Sequence, residues 1–264
     1  PKKQSIASNS TYRYFGWNAR VKYNRSFGLH DMGANAAFRY TAEEATGSSQ
    51  DLKEGNFTFR ANYAYNKRYM LEATLAAMGS NRFQGDNKYF FAHSVGGAWI
   101  ISNESFLKDM KAVNLLKMKV SYGHLGYAGD TDFFLHRTNW KKGDKEEFKP
   151  STGGNTTDLI RLGNPDLKWE KTGQFDIGFD LGLFNNRLRL TADYYYKKTT
   201  DLLYNVAIPS ASGYDSMLKN IGSVQNKGYE LSIESDNLSG AFSWTTAFNI
   251  SFNRNKVCLL YTSD

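Results

Sequence analysis

From Phe242 to Asn253 the chain alternates in chemistry at every step. Phe242, Trp244, Thr246, Phe248, Ile250 and Phe252 fall on one side, and Ser243, Thr245, Ala247, Asn249, Ser251 and Asn253 on the other. Successive side chains of a β-strand point to opposite faces, so a period of two makes a strand with one greasy and one wet surface. The pattern recurs over 56–66, where Phe57, Phe59, Ala61, Tyr63 and Tyr65 oppose Asn56, Thr58, Arg60 and Asn62. It recurs again over 187–198, where Leu188, Leu190, Ala192, Tyr194 and Tyr196 oppose Arg187, Arg189, Thr191, Asp193 and Lys197. Helical spacing fits none of these segments. The chain is therefore expected to be all-β.

The same rule places ten strands near 12–24, 28–40, 56–66, 69–79, 91–101, 115–124, 169–182, 187–198, 227–236 and 242–253. Most are longer than the roughly five or six residues of ordinary globular strands. About nine to eleven residues is what a tilted strand needs to cross a bilayer. Short and long connections alternate, as in membrane barrels with tight turns on one side and long loops on the other. The link 102–114 is longer than that alternation wants, and its Phe106, Met110 and Val113 suggest a small amphipathic helix. The long connections 125–168 and 199–226 are expected to be surface loops.

Composition narrows the choice. No apolar run approaches the roughly 18 residues of a membrane helix, and mean hydropathy is −0.57. Aromatics reach 15%, which argues against disorder. Many stand at strand ends, among them Tyr12, Tyr14, Tyr23, Tyr40, Tyr65, Tyr69 and Tyr122. Rings with a polar handle suit the bilayer–water boundary. A soluble β-sandwich would fill its apolar faces with branched aliphatics instead. The net charge of +7 is scattered, its densest groups being the pairs Lys141–Lys142 and Lys197–Lys198, so no nucleic-acid surface is expected. A single Cys258 excludes a disulfide framework and any multi-cysteine metal site.

Several ordered stretches go beyond a generic barrel: Gly79-Ser-Asn-Arg-Phe83, Ser94-Val-Gly-Gly-Ala-Trp99, Leu116-Lys-Met-Lys-Val-Ser-Tyr-Gly123, Asn164-Pro-Asp-Leu-Lys-Trp-Glu170, Arg189–Leu203 and Asn220-Ile-Gly-Ser-Val-Gln-Asn-Lys-Gly-Tyr-Glu230. In their order and spacing they resemble the SusC/RagA family of TonB-linked outer-membrane transporters, Asn164–Glu170 being similar to a strand entry of that family and Asn220–Glu230 to a later segment. The resemblance implies an antiparallel transmembrane β-barrel segment, about ten strands of a barrel of about 22, open as a fragment. It assigns residues 1–257 to that partial barrel, without the plug domain, and leaves 258–264 as a tail that departs from the family. It further implies import of a large nutrient, an oligosaccharide or glycan ahead of a peptide, across the outer membrane of a Gram-negative bacterium. The partners would be outer-membrane lipid, TonB acting through the plug, and a SusD-like surface lipoprotein.

Chemistry beyond transport finds little support in the sequence. The four histidines carry no HExxH or His–carboxylate spacing. Asp130-Thr-Asp132 lacks the further carboxylates of a calcium loop. No cofactor, metal or catalytic group is expected. Charges on strand faces must point to a wet lumen, because facing lipid would cost a few kcal/mol each at mid-bilayer. Arg20, Lys22, Arg39, Arg60, Lys117, Lys119, Arg187 and Arg189 would be balanced there by Glu72, Asp176, Asp180, Asp193, Glu230 and Glu234. Candidate contacts along a substrate path are Arg20, Arg39 and Arg60 on strands, with Asp130, Trp140 and Arg161 in the longest loop. Trp140 could stack on a sugar ring or pack within its loop. Two alternatives stand beside the transporter: a complete ten-stranded outer-membrane barrel enzyme of the omptin protease type, and a soluble β-sandwich binding module.

Overall fold

The structure is a computed structural model that describes residues 11–45, 51–107, 110–129, 135–147, 153–214 and 216–259. The alternating segments become β1 (Tyr12–Phe27), β2 (His30–Ala45), β3 (Leu52–Tyr65), β4 (Tyr69–Ser80), β5 (Tyr89–Ile100) and β6 (Val113–Tyr127). Next come β7 (Asn139–Glu147), β8 (Gly153–Arg161), β9 (Glu170–Leu183), β10 (Leu188–Ala207), β11 (Ser216–Leu238) and β12 (Trp244–Leu259). Ten of these build one sheet in the order β1-β2-β3-β4-β5-β6-β9-β10-β11-β12, and β7 with β8 forms a separate hairpin. Every neighbour in the large sheet runs antiparallel.

Register carries the two chemistries across the whole sheet. Val21 stands opposite Ala36, which faces Phe59, which faces Leu75. One residue along, Lys22 opposes Asn35, then Arg60, then Thr74. At the other end, Phe179, Ala192, Leu231 and Ile250 share an apolar row, and Gly178, Asp193, Glu230 and Ser251 the polar row beside it. A slip of one residue would turn every side chain to the wrong face, so the pattern itself fixes the pairing. The short turns are made for this twist. Asn66 and Lys67 both adopt positive φ, at 50° and 51°, the backbone that lets a tight hairpin follow the right-handed strand twist.

Strand ends differ from expectation. The supposed loop 199–226 is largely strand, because β10 runs to Ala207 and β11 begins at Ser216. Paired backbone continues beyond the length a membrane needs, since hydrogen bonding to a neighbour satisfies these groups better than an irregular loop. The long connection between β6 and β9 carries the β7–β8 hairpin. No helix forms over 102–114 among the described residues; a short 3-10 turn at Ile101–Asn103 stands there instead. Phe106 is 69% and Met110 50% exposed, so the apolar spacing has no surface to pack on. β12 continues through Leu259, which faces Ser223, and residues 260–264 of the expected tail lie outside the described residues.

The buried core lies at one end of the sheet, beneath the long connections. Phe83, Leu135, Leu167 and Trp169 pack together, with Met78, Phe90, Ala128, Leu203 and Leu218 against them. Neither face of the large sheet has a comparable core, as befits a wall whose faces meet lipid on one side and lumen on the other. Among the described residues β1 pairs with β2 alone and β12 with β11 alone. The sheet is open, which removes the closed ten-stranded barrel; the two-stranded β7–β8 hairpin gives no second layer for a sandwich.

Candidate functional site

The polar face of the sheet is built by alternation and sorted by charge. On β1–β4, Arg20, Lys22, Asn24, Asn35, Arg60 and Asn62 line a groove of about 670 Å³. Arg60 forms an ion pair with Glu72 across the β3–β4 pair. Arg20 and Lys22, among the described residues, have no carboxylate within ion-pair distance. Among the described residues Arg39 reaches the Tyr14 hydroxyl alone, at 3.5 Å.

Across the sheet the balance reverses. Lys119 Nζ lies 3.2 Å from Asp180 Oδ1 and 3.0 Å from Asp193 Oδ1, and Lys117 adds a contact of 3.9 Å to Asp180. The Lys119–Asp193 bridge passes over β9 at Gly178, which faces both residues in register. A Cβ there would collide with Asp193 Oδ1 and crowd the Lys119 stem, so this position needs glycine for close approach. Asp176 accepts from Ser121 at 3.3 Å and from Gln174 at 3.0 Å. Arg189 pairs with Glu234 at 2.8 Å and Asp236 at 3.1 Å. One wall of the lumen is thus cationic and the other richer in carboxylates.

At the loop end the motif residues turn out to be struts. Asn164 Nδ2 donates to the Leu218 carbonyl at 2.8 Å, and its Oδ1 accepts from the Asp166 amide at 3.0 Å. Asn220 Oδ1 accepts from the Lys168 amide at 3.0 Å while its Nδ2 donates to the carbonyls of Lys168 and Asp201. Trp169 buries its ring in the core and donates its indole N–H to the Asn87 carbonyl at 3.0 Å. Glu170 accepts from the Leu203 amide at 2.9 Å. Arg82 spans from Glu54 at 3.4 Å to the Gly129 carbonyl at 2.9 Å, beside the fully buried Phe83. These contacts tie four connections into one cap beside a second pocket of about 330 Å³, lined by Arg39, Glu54, Arg82 and Trp169.

The candidate contacts therefore separate. Arg20 and Arg60 share the first groove, and Arg39 lines the second pocket. Trp140 stands near the base of the β7–β8 hairpin opposite Leu159 and is 55% exposed. Arg161 ends β8 half-buried and partnered. Asp130 lies outside the described residues. The sequence did not single out Glu54 or Arg82 as site residues; the signal was present in Gly79–Phe83, where a half-buried Arg82 stands beside the buried Phe83.

The opposite, short-turn end has its own anchor. Glu104 accepts from the Tyr69 hydroxyl at 2.7 Å, the Trp99 indole at 3.0 Å and Arg68 at 3.2 Å. These donors, Tyr69 first and then Trp99 with Arg68 adding charge, hold its carboxyl below the ordinary carboxylate pKa.

Comparison with known proteins sharpens the picture. A family model described as TonB dependent receptor-like, beta-barrel, matches residues 138–262. TonB-dependent receptor P3 of Formosa agariphila is 34% identical, the alignment covering 92% of this chain and 27% of the relative. TonB-dependent receptor SusC of Bacteroides thetaiotaomicron is 30% identical over 95% of this chain and 29% of its own length. The chain belongs to the TonB-dependent receptors. Its sheet is a piece of a SusC/RagA-type barrel wall and lies in the outer membrane. The RagAB peptide transporter superposes with a TM-score of 0.83 at 25% identity, over 96% of this chain and 31% of that one. The siderophore receptor PirA from Pseudomonas aeruginosa shares the fold, with a TM-score of 0.59 at 11% identity. The chain spans less than a third of the length of the two curated relatives and of the matched RagAB chain, and 44% of the PirA chain. They are named as receptors and transporters, so the protease alternative falls.

Proposed function

We propose that the protein of which this sheet is part imports a large nutrient across the outer membrane, driven by TonB through a plug seated in the lumen. The observation that carries this is the polar face. Its charges are ordered in register across ten strands, and charge on a strand face is tolerated where the lumen is wet. A surface lipoprotein of the SusD kind would close over the loop end, where the cap holds the connections together. The substrate is an oligosaccharide or glycan, for which the exposed Trp140 offers a ring to stack on. A peptide is the second reading, favoured by likeness to a transporter described as carrying peptides.

Deleting the full-length gene and growing cells on glycan or on peptide as sole carbon source separates the two. Loss of growth on glycan alone, reproduced in weaker form by Trp140→Ala, is the expected result. Unchanged growth on both substrates would reject import, and loss on peptide alone would move the substrate to the second reading.

A further inference from the structure

The outward face of β10–β12 carries a cluster of cations at a particular height. On β12 the lipid-facing positions Trp244, Thr246, Phe248, Ile250 and Phe252 span nine residues, and about nine to eleven residues is the crossing length of a tilted strand. Immediately beyond, on the same face, stand Arg254 and Lys256. Register places Lys227 directly opposite Arg254, and Gln225 opposite both Lys256 and Lys198. Tyr196 completes the Tyr196–Lys227–Arg254 row, and below it Tyr194 and Tyr229 touch with ring centroids 4.9 Å apart.

Lys198, Lys227, Arg254 and Lys256 are all exposed. Among the described residues none has an ion-pair partner. Like charges directly opposite on a sheet destabilise it, and Lys227 against Arg254 is such a pair. Four cations therefore gather on the face that meets lipid, above an aromatic row, on the side where the long connections emerge. That side of an outer-membrane barrel is extracellular. The unfavourable pair becomes favourable when an anion lies over it.

We propose that this cluster binds the phosphate groups of outer-leaflet lipid, anchoring one lipid headgroup against β10–β12. Cations at this height meet the headgroup zone, while the rows beneath offer Tyr194, Tyr229 and Phe252 to the acyl chains. Each cation near a charged lipid surface contributes on the order of 1 kcal/mol, so four make a site rather than a bias.

The test uses the full-length receptor, purified in a neutral detergent and titrated with phosphatidic acid, with retained lipid counted by native mass spectrometry. Wild type is expected to hold this lipid in preference to phosphatidylcholine. Replacing Lys198, Lys227, Arg254 and Lys256 by Gln is expected to weaken retention by roughly fivefold per charge removed. Lys227→Glu keeps the strands paired by giving Arg254 a partner and still weakens retention, so a folding defect cannot imitate the result. Lys197→Gln, one residue away on the lumen face, leaves retention unchanged. Equal retention of phosphatidylcholine, no loss in the four-Gln variant or in Lys227→Glu, an equal loss in Lys197→Gln, or displacement of the lipid by equimolar inorganic phosphate would each overturn the proposal.

Discussion

Trp169 shows how much a single side chain decides. It sits in Asn164–Glu170, and its ring fills the centre of the only sizeable buried cluster among the described residues. Trp169→Ala is expected to cost about 3–5 kcal/mol of packing, the usual price of removing a large buried aromatic. The loss falls at the loop end, so protease added to whole cells should cut the 128–169 connection faster while the barrel keeps its compact mobility on unheated gels. Unchanged cutting would show that the cap does not depend on this ring. Glu104 gives the matching test at the short-turn end. Its folded carboxyl titrates below the ordinary value of 4.5, so its contribution is fully present above that value and disappears as pH falls through the lowered folded one. Hydrogen exchange at Ile101–Leu107 should accelerate over that acid window, and Glu104→Gln should remove the pH dependence. The sequence shows a Trp in a motif but not what it touches. Asn87, its hydrogen-bond partner, lies far away in the chain, and only the fold brings the two together.

At the scale of elements, the strands were readable and their ends were not. Period-two alternation located all ten strands of the large sheet, because each must present one face to lipid and one to water. It could not say where β10 and β11 stop, since beyond the bilayer both faces are wet and the alternation no longer carries a constraint. The β7–β8 hairpin escaped notice for the same reason, its sequence Asn139–Glu147 being polar on both sides. The amphipathic helix expected at 102–114 shows the opposite failure, an apolar spacing without a partner surface. The faces themselves make a direct prediction. Phe248→Arg, in the middle of the lipid-facing run of β12, should destabilise folding into bilayers by about 2–4 kcal/mol. Asn249→Arg, one step along on the lumen side, should cost far less. Urea titration of the full-length receptor in lipid vesicles measures both, and equal costs would reverse the assignment of faces.

On the scale of the whole molecule, the open edges of β1 and β12 and the sidedness of the connections determine how this sheet sits in the membrane. Unpaired strand backbone is not tolerated in hydrocarbon, so both edges must be met by further barrel strands in the assembled protein. The polar faces then close around one lumen, with the cationic wall of β1–β3 apart in sheet order from the carboxylate-rich wall of β9–β11. Orientation follows from the connections. The tight turns at Gly28–Leu29 and Asn66–Arg68 lie at one end and the cap with Trp140 at the other, and short turns belong on the periplasmic side. Cysteine labelling on living cells tests this placement. In a Cys258→Ser background, Trp140→Cys should react with a membrane-impermeant maleimide added to intact cells, while Leu29→Cys should react only after the outer membrane is permeabilised. Both substituted side chains are exposed, so access and not burial governs the difference. Labelling of Leu29→Cys from outside, with Trp140→Cys silent, would invert the barrel's orientation in the membrane.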